Sequence, residues 1–467
     1  MSRSLVSQRV ALGVVLLLSA GLACRTLAAG EGPEGGENRG QTAPREPVTS
    51  RAAALLVCVL TAGIARAGQP AEKGPSPRGF PVPELAALDR LLPPLMEKWR
   101  LPGGAVAIAK DGRLMVARGY GLAEVPKRRP VEPDSLFRIA SLSKPITAAA
   151  ILVLVEQGRL RLDARALDLL GPVEPPAGKS LDPRFGRITV RQLLQHTGGF
   201  DRQVSSDPMF RSIDVAGDLG VAPPAGPAAI LRWMLGRPLD FEPGARYAYS
   251  NFGYCVLGRI LERASGRSYE AAVKSLVLEP AGIERMRLGR SKAAGRFPGE
   301  VGYYPQSGAK PGRSVFPDDR APVPPPYGTF SIEAMDAHGG WIASAVDLVR
   351  FVTALDGTRK PALLKPDTFA LIPASPNPKI EPDHATRYGL GWSLHPTGKG
   401  MNWSHTGSLP GTTAILVRTH DRMTWAALFN SRPADPDALL LDLDRTLWEA
   451  IRQVSRWPDH DLFGQYR

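Results

Sequence analysis

The chain has 467 residues, 43% of them hydrophobic, so it can bury a large core in one or two domains. Its 58 basic residues outnumber its 45 acidic residues and give a formal net charge of +13 at pH 7. These basic residues are dispersed and form no run interleaved with aromatic residues, which argues against a nucleic-acid-binding protein. The three cysteines have no metal-ligand spacing with histidine, so neither a metal nor another cofactor is expected.

Two apolar stretches near the start of the chain indicate export. Residues 10–23 and 52–64 each follow arginines and have the length of a signal-peptide core, too short to span a bilayer. The second stretch ends in an Ala-Arg-Ala pattern that predicts cleavage before Gly68. A lipid anchor at Cys24 is the alternative. We expect a periplasmic or extracellular protein that contacts a membrane only through such an anchor.

Composition divides the chain into four parts. Residues 1–67 are the export region, residues 68–83 a linker rich in proline and glycine, residues 84–455 the folded domain, and residues 456–467 a tail. After cleavage the protein would retain Cys255 alone, so no internal disulfide is expected.

The folded domain begins with a helical pattern and a hairpin. Residues 84–99 are amphipathic with a helical period, although Pro93 and Pro94 are expected to bend or break the helix. Residues 104–110 and 113–120 have the character of strands, and the Asp-Gly dipeptide between them is a strong signal for a two-residue turn. An antiparallel sheet therefore begins here.

The most informative stretch is a helix predicted to begin at Ser141 and to end before Gly158. Its residues are almost all apolar, so we expect a helix buried on every side. Ser141 and Lys144 are three residues apart, which places both side chains on one helix face. A desolvated lysine that loses its proton next to a hydroxyl makes an activated serine nucleophile. The alternative is an ordinary serine N-cap followed by a solvent-facing lysine.

Two further segments follow before the second candidate motif. Residues 188–199 predict a short helix capped by Thr189, and His196 near its end is interpreted as structural, with a catalytic role as the alternative. Residues 200–238 are interrupted by prolines and are expected to form part of a cleft rim.

The tripeptide Tyr249-Ser250-Asn251 is expected on a loop at the head of a helix over residues 252–264. Alone, it is also explained by an asparagine N-cap and a tyrosine of the core. Beyond it, residues 287–327 are rich in glycine and proline and predict a long surface excursion.

The last part of the chain is rich in strands. His338 is interpreted as structural, and Ser344 as the cap of a helix. Strand-like runs separated by turn residues then predict a meander at residues 388–395, 401–406, 413–418 and 423–430. A helix over residues 437–452 has one apolar stripe suited to cover that sheet. We therefore predict an α+β fold, in which an antiparallel sheet built from both chain ends is flanked by helices and accompanied by a mostly helical lobe.

Three motifs in order carry a family resemblance. They are Ser141-Leu-Ser-Lys144, Tyr249-Ser-Asn251 and His405-Thr-Gly407. Together they resemble the serine β-lactamase and penicillin-binding superfamily, in particular the branch of class C β-lactamases, DD-carboxypeptidases, D-aminopeptidases and related esterases. The likeness extends over roughly residues 80–455.

The resemblance implies a role for each motif residue. Ser141 would attack an amide or ester carbonyl to form an acyl-enzyme, Lys144 would help to deprotonate it, and Tyr249 would shuttle protons. The motif leaves open whether Lys144 or Tyr249 is the base. The backbone amides of Ser141 and Ser408 would form the oxyanion hole. The residues implied to bind substrate or to line this hole are Asn251, His405, Thr406, Gly407 and Ser408.

His405 departs from the Lys-Thr-Gly pattern usual in β-lactamases. An imidazole that is largely neutral replaces a permanent positive charge, so a peptidase or esterase is expected rather than an efficient β-lactamase. The substrate would be a small molecule or a peptide, with D-amino-acid peptides of the cell wall among the candidates. The alternative is a non-catalytic envelope protein that binds peptidoglycan or penicillin on the same fold.

Overall fold

The computed structural model describes residues 75–306, 308–374 and 387–466. The apolar stretches, the cleavage site and the lipid anchor predicted before residue 68 lie outside these ranges. No helix within them is long and apolar enough to cross a membrane.

The main sheet is antiparallel and joins both ends of the chain. With strands numbered along the chain, its spatial order is β3 (Arg129–Pro130), β2 (Arg113–Glu124), β1 (Gly103–Lys110), β11 (Met423–Phe429), β10 (Thr412–Arg418), β9 (Gly400–Leu409), β8 (Ser393–Thr397) and β7 (Arg387–Tyr388). The two ends meet where β1 pairs with β11, with Ala107 opposite Ala426. A small second sheet has the order β4 (Phe137–Arg138), β6 (Trp341–Ala343) and β5 (Arg287–Leu288). The predicted meander and the fold class are confirmed.

The α-helices are α1 (Ala87–Lys98), α2 (Ser143–Glu156), α3 (Ala166–Leu170), α4 (Val190–Leu194), α5 (Ser212–Leu219), α6 (Pro227–Leu235), α7 (Asn251–Ser265), α8 (Tyr269–Val273), α9 (Asp336–Gly339), α10 (Ala345–Leu355), α11 (Pro366–Ala370) and α12 (Pro436–Arg452). Short 3₁₀ turns lie at Pro83–Leu85, Ala140–Leu142, Pro183–Arg187, Pro208–Phe210, Ala293–Gly295, Glu333–Met335 and Leu462–Gln465, and a π-helical turn at Lys274–Leu278.

Alternating residues of the central strands divide the core into two layers. In β1, Val106 and Ile108 pack with the apolar faces of α1 and α12. The intervening alanines, Ala105 and Ala107, belong to the larger core on the other side of the sheet, which contains α2. Helix α2 is buried along its length from Ser143 to Leu154, as its apolar sequence predicts. The sheet thus carries helices on both faces.

Local signals in the sequence explain several element boundaries. Asp111 and Gly112 have φ angles of 51° and 78°, the left-handed conformation that a two-residue turn between β1 and β2 requires. Thr189 caps α4 and Ser344 caps α10, each through a reciprocal capping box. These short-range predictions are confirmed.

Of the bend or break expected at Pro93 and Pro94, the break does not occur. Both residues lie inside the continuous helix α1 and face water. Because this face is exposed, solvent can satisfy the carbonyl groups that lack an N–H partner. On the opposite face Leu92 and Leu95 remain packed in the core.

The folded part extends beyond the boundaries predicted at residues 84 and 455. Upstream, Arg78 exchanges backbone hydrogen bonds with Gly119 of β2. Downstream, Phe463 is buried, and the guanidinium of Arg350 donates to its carbonyl oxygen at 2.9 Å. The predicted tail is therefore packed through residue 466, because Phe463 is buried and Trp457, Leu462 and Tyr466 pack against the core beside it.

The segment 287–327 is only partly the surface excursion that its composition predicts. Val301 and Tyr303 are buried, and the hydroxyl of Tyr303 accepts a hydrogen bond from the backbone N–H of Arg138. The Arg138 guanidinium is fully buried and lies 4.3 Å from the centre of the Tyr303 ring. This cation holds the segment against the strand that precedes Ser141.

Replacing Asp444 by asparagine should stabilise the protein above pH 6. Burial on α12 raises the pKa of Asp444 from 3.8 to about 6, so the folded state binds the proton more tightly than the unfolded state. Stability therefore falls as the pH rises from about 4 to 6, and the loss, at most about 3 kcal/mol, persists above that range. Urea unfolding curves at pH 4 and pH 7.5 should show a higher free energy of unfolding for Asp444→Asn only at pH 7.5. Glu449→Gln, which removes an exposed carboxylate from the same helix, is the control and should change neither.

Candidate active site

Ser141 lies on a tight turn at the head of the buried helix. The turn is the 3₁₀ segment Ala140–Leu142, and Ala140 has a φ of 47°, a conformation unfavourable for a residue with a side chain. The hydroxyl of Ser143 donates to the Ala140 carbonyl oxygen at 2.7 Å and accepts from the backbone N–H of Trp341 at 3.3 Å. These bonds hold the strained turn and leave Ser141 partly exposed.

The amine of Lys144 is fully buried and has three oxygen neighbours. Its Nζ lies 3.1 Å from Ser141 Oγ, 2.7 Å from Asn251 Oδ1 and 3.0 Å from the carbonyl oxygen of His338. Burial lowers the pKa of Lys144 well below its usual value, and the positive charge of Arg202 lowers it further, whereas the carboxylate of Asp207 opposes the shift. The environment therefore favours the neutral amine.

A neutral amine in this position has one consistent hydrogen-bond arrangement. The Asn251 and His338 oxygens can only accept, so they take the two N–H groups of Lys144. The remaining lone pair of Nζ then faces the hydroxyl of Ser141. The geometry thus suits removal of the Ser141 proton by Lys144.

Asn251 is held from its other side by Asp207. Its Nδ2 donates to Asp207 Oδ2 at 2.6 Å, while Asp207 Oδ1 accepts from the backbone N–H of Met209 at 3.1 Å. Asn251 is the first residue of α7, and Ser250, not Asn251, is the N-cap. The interpretation of Asn251 as a helix cap is therefore wrong.

The phenol of Tyr249 completes the group around the serine. Its hydroxyl is hydrogen-bonded to the side chain of Ser141, and burial raises its pKa to about 12. Lys144 Nζ lies 4.7 Å and the Arg202 guanidinium carbon 4.9 Å from the centre of the Tyr249 ring. Tyr249 is therefore protonated at neutral pH and suited to donate a proton.

His405 lies beside this group but is engaged elsewhere. Its ring centre is 6.5 Å from that of Tyr249. Its Nδ1 lies 2.8 Å from the carbonyl oxygen of Thr406, which can only accept, so the proton is on Nδ1 and Nε2 accepts from the Tyr388 hydroxyl at 3.0 Å. Burial lowers the pKa of His405 to about 3. The imidazole is therefore neutral, as the sequence predicts.

Strand β9, which carries His405 to Ser408, packs directly against the turn of Ser141. A Cβ at Gly407 would overlap the carbonyl oxygen of Ile139 and lie 3.3 Å from the Cβ of Ala140. Only glycine allows this approach. Thr406 and Ser408 are partly exposed on the neighbouring positions of the strand, and the oxyanion role of Ser408 stays a prediction.

The two histidines interpreted as structural both support the site. His196 Nδ1 accepts from the backbone N–H of Ser250 at 3.1 Å, and its ring centre is 4.4 Å from that of Tyr249. Burial lowers the pKa of His196 well below its usual value. His338 contributes its backbone carbonyl to Lys144.

Sequence reasoning brings forward Ser141, Lys144, Tyr249 and Asn251, which the structure places in direct contact, but misses several supporting residues. No local pattern marks Ser143, Tyr388 or the His338 carbonyl, and the pattern at Asp207 indicates a different role. The Asp-Pro pair at residues 207–208 signals a helix start, and Asp207 does cap the following 3₁₀ turn. Capping of this turn is a complete explanation of the Asp-Pro pair, so the sequence gives no indication that Asp207 also contacts Asn251.

An antiparallel sheet joined to a helical lobe, with a buried lysine and a tyrosine converging on one serine at a helix head, defines the class of serine penicillin-recognising proteins. The family model described as Beta-lactamase matches residues 88–446. The chain therefore belongs to the β-lactamase family, and the predicted resemblance is confirmed.

Named relatives include hydrolases and penicillin-binding proteins. The chain is 34% identical over 211 residues to esterase EstB of Burkholderia gladioli, covering 42% of this chain and 50% of the esterase. It is 28% identical over 390 residues to penicillin-binding protein 4* of Bacillus subtilis (strain 168), covering 81% of this chain and 76% of that protein. The match to the esterase thus spans about half of that relative's length.

Solved structures agree on the fold. D-amino acid amidase from Ochrobactrum anthropi SV3 superposes with a TM-score of 0.62 at 22% identity, covering 80% of this chain and 100% of the amidase. The octameric penicillin-binding protein homologue from Pyrococcus abyssi gives a TM-score of 0.59 at 24% identity, covering 78% and 77% of the two chains.

Proposed function

We propose that this protein is an exported serine hydrolase that cleaves an ester, amide or peptide through a covalent acyl-enzyme on Ser141. The observation that carries the proposal is the 3.1 Å contact of Ser141 Oγ with the fully buried amine of Lys144, whose pKa burial lowers well below its usual value. Family membership and the esterase relative support hydrolysis. Export rests on the apolar stretches near the start of the sequence.

In the acylation step, Lys144 takes the proton of Ser141 as Oγ forms a bond to the substrate carbonyl carbon. The resulting tetrahedral oxyanion would be stabilised by the backbone amides of Ser141 and Ser408. When the bond from carbon to the leaving nitrogen or oxygen breaks, the Tyr249 hydroxyl gives its proton to the leaving group. The Lys144 ammonium then returns a proton to Tyr249, so that both groups regain their starting forms.

Deacylation would use the same groups in the reverse direction. Water attacks the acyl carbon and gives one proton to Tyr249, which passes its own proton to Lys144, and the Lys144 ammonium then protonates Ser141 Oγ as the C–O bond to Ser141 breaks. The oxygen of Ser141 recovers its proton, and a carboxylic acid leaves. No metal or cofactor enters any of these steps.

The neutral His405 bears on substrate choice. In this arrangement it supplies no positive charge to a substrate carboxylate, because its Nδ1–H is bonded to Thr406 and its Nε2 accepts from Tyr388. Esters and peptides are therefore proposed ahead of carboxylate-bearing lactams, with cell-wall peptides containing D-amino acids among the candidates. The exposed Arg202 at the Tyr249 ring is a cation at the rim of the site.

Labelling of Ser141 tests the proposal. A fluorophosphonate probe and a labelled penicillin, each followed by peptide mapping, should modify Ser141 in the protein cleaved before Gly68. The variant Ser141→Ala should take up no label and should lose turnover of p-nitrophenyl esters by at least about a thousandfold. Ser143→Ala is not a suitable control, because that hydroxyl supports the turn, so the exposed Ser205→Ala is used instead and should label normally. Labelling of the protein without turnover of any ester, peptide or lactam would favour a non-catalytic binding protein.

A further inference from the structure

We infer that Asp207 is a positioning residue that fixes the Asn251 amide with its oxygen toward Lys144 and thereby reserves the Lys144 lone pair for Ser141. This inference rests on the proposed function, since it concerns activation of the same serine. It follows from a chain of four contacting side chains that runs from the 3₁₀ turn Pro208–Phe210 to the nucleophile.

The orientation of the Asn251 amide is not fixed by Lys144 alone. A lysine can donate to an amide oxygen, but its neutral amine can also accept from an amide N–H, so both orientations of Asn251 are compatible with it. Burial raises the pKa of Asp207, but the hydrogen bonds from Asn251 and from the backbone of Met209 and the charge of Arg202 oppose that shift and favour the carboxylate. A carboxylate accepts only, so in this form Asp207 removes the ambiguity. Asp207 Oδ2 lies 2.6 Å from Nδ2 of Asn251. The NH₂ group of Asn251 must therefore face Asp207, and its oxygen must face Lys144.

The flipped amide would disable the base. With the NH₂ group of Asn251 toward Lys144, the lone pair of Nζ would accept from that group, since the His338 carbonyl already takes one N–H. The lone pair would then no longer face Ser141, and the proton of the hydroxyl would have no acceptor on Lys144. Asp207 thus acts on the reaction without touching the substrate or the reacting atoms.

Asp207 itself is held in the required position. Its Oδ1 accepts from the backbone N–H of Met209 at 3.1 Å, so both oxygens are used and the carboxylate is aligned by the turn that it caps. An asparagine at position 207 has a single acceptor oxygen and cannot serve Met209 and Asn251 together. The substitution Asp207→Asn therefore permits the flipped amide.

The charges around Lys144 predict how Asp207→Asn should change the pKa of Lys144 and thus the pH dependence of the reaction. Asp207 raises the pKa of Lys144 and Arg202 lowers it, so removal of the Asp207 charge should lower the pKa further. Burial lowers the pKa of the histidines near the amine and raises the pKa of the tyrosines, so both kinds of side chain are neutral at pH 7. These residues are His196, His338, His405, Tyr249 and Tyr254. A variant that merely loosened the site would admit water and move the pKa of Lys144 upward instead.

The experiment compares Asp207→Asn with the unaltered protein and with Asp214→Asn, which removes an exposed carboxylate from α5. We expect Asp207→Asn to lower kcat on an ester about 10- to 100-fold with KM within threefold, and to move the acid limb of the kcat/KM profile about one pH unit lower. Asp207→Glu, which keeps the charge and both acceptor oxygens, should restore the position of the acid limb. Asp214→Asn should change neither quantity.

A double-mutant cycle with Asn251→Ala tests the route of the effect. Because Asp207 acts through Asn251, adding Asp207→Asn to Asn251→Ala should cost less than threefold in kcat. The inference would be overturned if the fold-losses in kcat of the two single variants multiplied in the double variant. It would also be overturned if the acid limb of Asp207→Asn moved to higher pH together with a lowered Tm. The pKa of Lys144 read directly from its ¹³Cε resonance, assigned with Lys144→Met, must also fall in Asp207→Asn. This titration needs no turnover, so an inactive protein would refute the proposed function while still deciding the role of Asp207.

Discussion

Replacing Lys144 by methionine is expected to reduce kcat/KM for an ester about 10²- to 10⁴-fold while the protein stays folded. Methionine has nearly the length of lysine and suits the fully buried position, but it offers no lone pair to the Ser141 proton. Arginine at this position should be equally inactive, because its guanidinium stays protonated throughout the accessible pH range. Steady-state kinetics from pH 5 to 10 measure the loss.

The pH profile separates loss of a base from general damage. In the unaltered protein, kcat/KM should rise with pH through the lowered pKa of Lys144 and then level off, since only the neutral amine accepts the proton of Ser141. In Lys144→Met this acid limb should disappear, and the residual rate should no longer follow that ionisation. The matched control Lys179→Met removes an exposed amine and should leave the profile unchanged. Retention of more than a tenth of the activity by Lys144→Met would assign the base to another group, with Tyr249 the first candidate.

The parts of the fold that were predictable are those specified by neighbouring residues. The Asp-Gly turn requires two left-handed residues, and the caps at Thr189 and Ser344 satisfy backbone groups three positions away. The all-apolar sequence of α2 likewise carries its own burial signal. In each case the physical cause lies within a few residues, so a single sequence contains it.

Features that arise from contacts between distant residues were not predictable in this way. The persistence of α1 through two prolines depends on which helix face meets the sheet, and residue 463 joins a core built from distant parts of the chain and accepts a hydrogen bond from Arg350. The same limit applies at the site. The strained φ of Ala140 is maintained by Ser143 and Trp341, two residues that are 198 positions apart in the sequence. Sequence motifs located the side chains that meet at Ser141, whereas the residues that orient them became visible only in three dimensions.

The substitution Gly407→Ala is expected to lower kcat/KM about 100-fold or more, although residue 407 has no side chain to take part in the reaction. A Cβ there would overlap the carbonyl oxygen of Ile139, so β9 must move away from the turn that holds Ser141. In the proposed mechanism the Ser408 amide moves with the strand, and loss of one oxyanion donor costs about 10²- to 10³-fold in rate. The effect should fall on kcat more than on KM, because the displaced donor binds charge that develops only in the transition state.

Gly398→Ala provides the comparison, since a Cβ at that position, in the turn before β9, meets nothing within 4 Å. It should retain full activity, which would attribute the loss in Gly407→Ala to the contact with Ile139 and not to a stiffer backbone in the hairpin. Fluorophosphonate labelling of Ser141 should slow in Gly407→Ala to a similar extent as turnover, because phosphonylation also develops charge on an oxygen next to the serine. Activity within threefold of the unaltered protein would mean that the strand and the turn tolerate separation, and the assignment of β9 to the oxyanion hole would have to be abandoned.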